Sequence, residues 1–465
     1  MTIKLMGAPF AVCTAWALLA GACATTSETA SKKAVQSHSE NVAFTEHPRI
    51  DGSSTELNGT LQRYVAYAME NSKTLEAQFN RWKAGVYRIS RARRLPDPVI
   101  SYAFYISQVE TRVGPQRQKV SIRQTFPWPT RLSAGADAAS ARSKSQQKQF
   151  DALAISIATS VEQIYWRLWE IRESIQVQKT HETVLAGLSE SANALLATGR
   201  IDLSDQQQID LTRARVADSI SKLDEQQIQK EAELRALIAA PPKTPIPITS
   251  KPNLNPVVLD EEALLTGVKT HPSLQKYMEL ARSSSLEARR EATERYPDFT
   301  IGLDWIETGD AQAPATPDSG KDALIAGISV SIPLWQRNVQ QSVDAFHADE
   351  QAYVADGQAA TDLAVSAYYQ TLSRVRDAER RIALYEKTLV PQAETVFESV
   401  LGAYVGGRGS AASTLLAQQD LLALRLQLIS AQADYLTQIA ALKNLVGREL
   451  SDVRPERSIQ KGDTP

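Results

Sequence analysis

Apolar residues recur at Phe150, Leu153, Ile157, Val161, Ile164, Leu168, Ile171 and Ile175. Gaps of three and four put them in a narrow stripe along one side of a helix, as in a coiled-coil seam. The helical pattern extends from about Arg131 to Thr198 with no proline in it, and it returns, altered, from about Trp335 to Tyr404. A helix of roughly 65 residues is ~100 Å long. That exceeds what a compact globular domain uses, so such helices must lie against one another.

The period changes on either side of these stretches. Ile100, Tyr102, Phe104 and Ile106 alternate with small or polar residues, and so do Val120, Ile122 and Phe126. Alternation of this kind predicts strands with one apolar face. Pro96 and Pro98 close the helix before the first strand, and Pro127-Trp128-Pro129 closes the second. The same order then repeats. Tyr296-Pro297-Asp298 answers Leu95-Pro96-Asp97; Phe299, Ile301, Leu303 and Trp305, then Ala326, Ile328, Val330 and Ile332, repeat the alternation; and Gly407-Arg408 answers Gly199-Arg200. Corresponding landmarks lie a little over 200 residues apart, which points to one unit duplicated in tandem.

The organisation expected is an export signal over 1–22, a polar leader over 23–56 taken as extended or mobile, and a first repeat over 57–240 with strands near 99–107 and 118–126. A proline-rich connector over 241–259 leads to a second repeat over 260–447, with strands near 298–307 and 324–332, and a loose tail over 448–465. Each repeat reads as helix, β-hairpin, long helix, helix. The N-terminus has Lys4 before a largely apolar run and then small residues. It admits two readings: a signal-peptidase site at Ala20-Gly21-Ala22, or a lipoprotein box in which Cys23 is the acylated first residue and Ala20 stands where the pattern prefers leucine.

Strands of about ten residues with one apolar face suit a membrane barrel, and Phe126, Trp128 and Trp335 lie near strand ends, as aromatics do at a membrane interface. Four strands cannot close, and an open edge in lipid leaves backbone groups unpaired at several kcal/mol each. Strands in a bilayer therefore require more than one copy of the chain. The alternate positions, among them Ser101, Ala103, Ser121, Gly302, Ser329 and Ser331, suit a wet lumen, with Lys119, Arg123 and Asp304 facing the same way.

Composition changes this picture little. A net charge of −2 gives no reason to expect nucleic acid as a partner. The five histidines are scattered with no pair at helical spacing, so no metal site is expected, and no phosphate loop or nucleophile motif suggests an enzyme or a cofactor. Both cysteines, Cys13 and Cys23, fall within the N-terminal segment, which leaves no disulfide framework for the rest of the chain.

The tandem halves, the Pro-Asp before each first strand, the proline and tryptophan after each second and the Gly-Arg turns together resemble the TolC family of outer-membrane efflux proteins. The resemblance implies a homotrimer of mainly α chains sharing a 12-stranded β-barrel in the outer membrane of a Gram-negative bacterium, with an α-helical barrel in the periplasm. It implies an exit duct working with a periplasmic adaptor protein and, through it, an inner-membrane transporter. It also places adaptor docking at Gly199, Arg200, Leu203, Ser204, Gly407, Arg408 and Ser410, and a periplasmic gate among Asp205, Asp210, Arg408, Ser413 and Leu416. The family often has acidic residues just after the second tip, where Ser413 and Leu416 stand here. Drug, metal-ion, solvent and polypeptide ducts share this plan. A type I protein-secretion duct is the alternative within the family, and a periplasmic coiled-coil scaffold or adaptor the alternative outside it.

Overall fold

The computed structural model describes residues 26–41, 57–254 and 260–448. The expected export signal, Cys23 and all but the first residue of the tail lie outside the described residues. The chain divides into two compact units. One takes Asn80–Gln147, Lys276–Asp356 and the described part of Met1–Ala43; the other takes Lys148–Gln275 and the described parts of Phe44–Phe79 and Gly357–Pro465.

The elements in order are α1 Thr26–Asn41, α2 Leu61–Asn71, α3 Lys73–Ala92, β1 Val99–Phe104, β2 Glu110–Thr111, β3 Gly114–Phe126, α4 Pro129–Ala197 and α5 Leu203–Leu237. There follow α6 Glu261–Lys269, α7 Pro272–Ala292, β4 Asp298–Thr308, β5 Ala323–Ser331, α8 Gln336–Leu384, α9 Val390–Val405 and α10 Ala411–Val446. A π-helical turn, Tyr385–Leu389, separates α8 from α9 just before Pro391.

The first unit holds an antiparallel sheet of order β1-β3-β4-β5, with β2 paired to the outer end of β3. Its register aligns the alternation of every strand. Ile100 faces Ile122, Ile122 faces Leu303, and Leu303 faces Ala326. One row over, Tyr102, Val120, Trp305 and Leu324 form the same ladder. Because side chains alternate at period two, this register gathers most of the large apolar residues on one face, while Val99, Ile306 and Ile325 fall on the other. β1 and β5 each pair along one edge only.

The strands differ from expectation at their outer ends. β1 stops at Phe104, whereas β3 begins already at Gly114, in a stretch expected to be loop. Glu110 and Thr111 pair with Pro115 and Gly114, so Gly114-Pro115 opens a tight hairpin. Gly114 has φ +134°, and a Cβ there would meet the Gly309 carbonyl oxygen at 1.7 Å. Only glycine fits so close an approach at that dihedral.

The leader expected to be extended or mobile contains α1. Its Val35 is buried, and Glu28, also buried, accepts from Ser90 of α3 at 2.7 Å and pairs with Lys32 at 2.7 Å and Arg93 at 3.6 Å. A polar sequence is thus held by the buried Val35, by a buried carboxylate with three partners and by His38, whose ring lies 6.0 Å from that of Trp82. The helix expected to run unbroken from Leu57 to Arg93 is interrupted at Ser72, whose hydroxyl accepts from Leu75 N. The helix expected to open the second repeat is likewise interrupted before Pro272, which supplies no N–H to carry the ladder through.

In the second unit the connector is pinned by buried side chains. Tyr64 donates to Pro247 O at 2.8 Å; Tyr165 donates to Gly59 O at 2.7 Å and accepts from Ser250 N at 2.8 Å. Arg235 donates to Thr244 O at 2.8 Å, and Glu231 bridges Arg172 and Arg235 at 3.0 and 2.9 Å.

Candidate functional site

Two regions gather the residues that the sequence singles out. The first is the sheet. Lys119, Arg123 and Asp304 share the face opposite the apolar rows. Asp304 accepts from Lys119 Nζ at 2.9 Å and lies 3.6 Å from Arg123 Nη2, so one carboxylate stands between two cations. Ser121 sits opposite Asp304, and the hydroxyls of Thr125 and Thr300 hydrogen-bond at 2.9 Å across the same face. The other face is uncovered: Ile100 is 71% exposed, Ile301 53% and Ile328 75%. An apolar surface this continuous marks a site of contact with lipid or with protein.

Aromatic groups with polar handles bound this apolar face. At its outer end Tyr102 donates to Gln118 at 2.8 Å and Trp305 Nε1 to Asp322 at 3.2 Å. Where the helices leave the sheet, Trp128 and Tyr296 stack with ring centroids 4.6 Å apart. Rings that are apolar in body and polar at one tip suit the boundary between hydrocarbon and water.

The second region is the pair of turns joining α4 to α5 and α9 to α10. Gly199 and Gly407 both have φ +71°. Arg200 N donates to Leu195 O at 2.9 Å and Gly199 N to Leu196 O at 2.9 Å; Arg408 N donates to Ala403 O at 2.9 Å and Gly407 N to Tyr404 O at 2.9 Å. Both are Schellman closures with glycine in the left-handed position and arginine next. The turns lie together, since a Cβ on Gly407 would be 3.6 Å from Arg200 Nη1. Ser410 caps α10 by accepting from Ser413 N at 3.1 Å, and the Ser413 hydroxyl returns a bond to Ser410 O at 2.9 Å. Leu203, Ser204, Arg200 and Arg408 are all exposed.

Asp210 accepts from Ser189 Oγ and Gln206 Nε2, both at 3.1 Å, which ties it to its own hairpin. Asp205 lies near the buried Tyr404, whose hydroxyl pKa is pushed up by burial and then by that carboxylate. Leu416 is exposed. Among the described residues, Arg200, Arg408, Asp205 and Asp210 form no ion pair.

Sequence reading missed the buried polar groups between the hairpins. Gln418 Nε2 and His181 Nδ1 are 2.6 Å apart, both residues buried, beside a cavity of about 20 Å³ lined by Val177, Thr180, Val184, Leu421, Leu422 and Arg425. Burial pushes the His181 pKa down to about 4, so the ring is neutral. No group of three or more potential metal ligands occurs among the described residues. No helix there is long and apolar enough to cross a membrane.

Residues 269–448 match the family model described as outer membrane efflux protein. No curated protein matches the chain by sequence. Solved structures match the fold over most of its length. The outer-membrane channel OprN superposes with a TM-score of 0.71 at 14% identity, covering 88% of this chain and 95% of that one. The outer membrane protein VceC from Vibrio cholerae gives 0.68 at 18% identity, covering 84% and 96%. The MtrE outer membrane channel of Neisseria gonorrhoeae gives 0.66 at 16%, covering 84% and 89%.

Proposed function

We propose that this chain is the outer-membrane exit duct of a tripartite efflux system, a reading supported by the match of its residues 269–448 to the family model described as outer membrane efflux protein. The sheet is its membrane portion and the helical hairpins its periplasmic portion. It is a passive conduit and performs no chemistry. The observation that carries this reading is the register of the sheet: four strands align most of their large apolar residues on one uncovered face, with Val99, Ile306 and Ile325 on the other, and both edges lack a partner. In lipid the unpaired edges are too costly to leave open.

Closure therefore comes from further copies. Three chains contribute twelve strands and complete a barrel, with Lys119, Arg123 and Asp304 on its wet side. Trimer assembly is supported by the likeness of fold to channels such as OprN and MtrE. The like order of elements in the two halves, and the matching Schellman turns, support a tandem duplication. At the tips, the exposed Gly199-Arg200 and Gly407-Arg408 turns, with Leu203, Ser204 and Ser410, form the docking surface for a periplasmic adaptor. Asp205, Asp210, Arg408, Ser413 and Leu416 take part in closing the duct when copies meet around an axis.

The test is a stoichiometry and a conductance. Protein extracted in detergent should cross-link to trimers and, added to a planar bilayer, should produce discrete current steps. A monomer that dissolves without detergent and leaves bilayers silent overturns the proposal.

A further inference from the structure

The exposed side of α3 changes character as it approaches the sheet. Its solvent stripe runs through Ala77, Asn80, Arg81, Tyr87, Arg88 and Arg91, and continues past the helix end into Arg94 and Leu95. Between Glu76 and Asp97 the sequence holds no acid, while it holds Arg81, Lys83, Arg88, Arg91, Arg93 and Arg94. Two of these bases are accounted for, since Arg93 pairs with the buried Glu28 at 3.6 Å and Arg81 has a partner of its own. Arg88 and Arg91 make no ion pair among the described residues, and Arg94 meets only the exposed Asp97, at 2.8 Å. Exposed pairs of that kind hold a side chain weakly.

The matching helix of the second half is built differently. α7 also carries arginines toward its strand, and Arg289 is likewise exposed without an ion pair among the described residues, but Arg290 is met by Glu287 at 2.6 Å and by Glu291 and Glu294. The two halves thus share exposed arginines at this level, and α3 differs in holding no acid among them.

Position gives that charge a partner. Arg88 and Arg91 are three residues apart on one helix face and so are neighbours. Arg94 lies five residues before Val99, where β1 begins, a span of at most ~17 Å of extended chain. Tyr87 and Leu95 are exposed beside the arginines, and Val99 and Ile100 are exposed at the start of the strand. A polar-tipped ring, an apolar side chain and long cationic side chains next to an apolar sheet face form the arrangement that meets a bilayer at headgroup depth.

We propose that Arg88, Arg91 and Arg94, with Tyr87 and Leu95, form a binding site for the headgroup of a phospholipid of net negative charge in the leaflet nearer the helices. The guanidinium groups take the phosphate oxygens, for which their planar fork is suited, while Tyr87 and Leu95 lie against the glycerol and the upper acyl chain. The site rests on the reading of the sheet as a membrane segment. It gives that segment a lipid preference and a fixed depth.

The experiment uses the full-length protein purified in detergent and given equal amounts of phosphatidylglycerol and phosphatidylcholine, with retained lipid counted by native mass spectrometry. The wild type should retain phosphatidylglycerol at least about tenfold over phosphatidylcholine, a modest figure for three basic residues at an anionic surface. Replacing Arg88, Arg91 and Arg94 together by Gln should bring the ratio below about twofold, and replacing all three by Lys should keep most of it. If the triple Gln protein does not fold, Arg91→Gln alone must lower the ratio at least about threefold. Equal retention of the two lipids by an intact wild-type oligomer overturns the site. So does a triple Gln protein that falls apart into single copies, which assigns these arginines to a neighbouring chain. A protein that needs no detergent and retains neither lipid instead removes the membrane reading itself.

Discussion

Asp434 of α10 accepts from Arg167 of α4 at 2.8 Å, joining two helices whose residues are 267 positions apart. Its second oxygen accepts from Arg381 of α8 at 2.9 Å, and Arg381 also pairs with Asp377 at 2.9 Å. One carboxylate thus ties three helices of the second unit. All three side chains are about one-third exposed or less. Hydrogen bonds to charged groups are worth about 1.5–3 kcal/mol, and leaving a partner unsatisfied adds to the loss. Asp434→Asn should therefore lower stability by about 2 kcal/mol. Thermal unfolding followed by circular dichroism tests this, and a cycle with Arg381→Met should show that the two losses do not add.

The buried His181 gives the second unit an acid-sensitive seam. Its pKa is pushed from an ordinary 6.5 down to about 4 by burial. In the unfolded chain the ring takes a proton below about 6.5, whereas in the folded chain it does so only near 4. Stability is therefore at its full value above 6.5, falls as pH drops from 6.5 to 4, and levels off below the folded value. His38 and His271 are shifted the same way by burial, so the comparison must isolate one ring. His181→Leu should show a visibly smaller fall in Tm between pH 6.5 and 4.5 than the wild type. Equal slopes would refute the assignment.

The alternation of apolar residues was enough to read all four long strands and which residues share a face. It could not give their register, because a period of two fixes the face and leaves the offset to hydrogen-bond pairing and turn geometry. The hairpin tips were legible because glycine followed by arginine ends a helical pattern twice. α1 was not, since Val35 is its one large buried apolar side chain and its other anchors, Glu28 on Ser90 and His38 against Trp82, are meetings that only folding brings about. The break at Ser72 was hidden for a similar reason, as neither proline nor glycine marks it. The Arg167–Asp434–Arg381 cluster and the His181–Gln418 pair join positions hundreds of residues apart, and nothing in local periodicity records such meetings.

The tip glycines should tolerate no side chain without cost. Both sit at φ +71°, a region that other residues enter with strain. The space around Gly199 is open, so Gly199→Ala measures the backbone term alone, about 1 kcal/mol. Gly409→Ala should cost more, because its Cβ would lie 2.9 Å from Tyr404 N, a backbone atom that cannot swing aside. Hydrogen exchange at the amides of Leu203–Gln208 and Ala411–Leu416 reads the loosening locally, even where global unfolding hardly moves.

The two faces of the sheet should respond oppositely to charge. Ile301 lies in the apolar set, facing Gln124 on β3 and Ile328 on β5, and it is exposed in the single chain. If that face meets hydrocarbon, Ile301→Arg places a cation near the middle of the bilayer, at a cost of about 2–4 kcal/mol per chain. Three chains closing one barrel multiply the penalty, so the variant should accumulate as unassembled protein. Ser329 is one row away with its side chain on the opposite face, where it stands across from Thr300. Ser329→Arg adds the same charge to water and should leave assembly intact, and it should change the single-channel conductance. Semi-native electrophoresis of membrane extracts separates trimer from monomer for both variants. A sheet that stays in water makes the two substitutions equivalent, whereas a sheet in lipid lets only the second assemble.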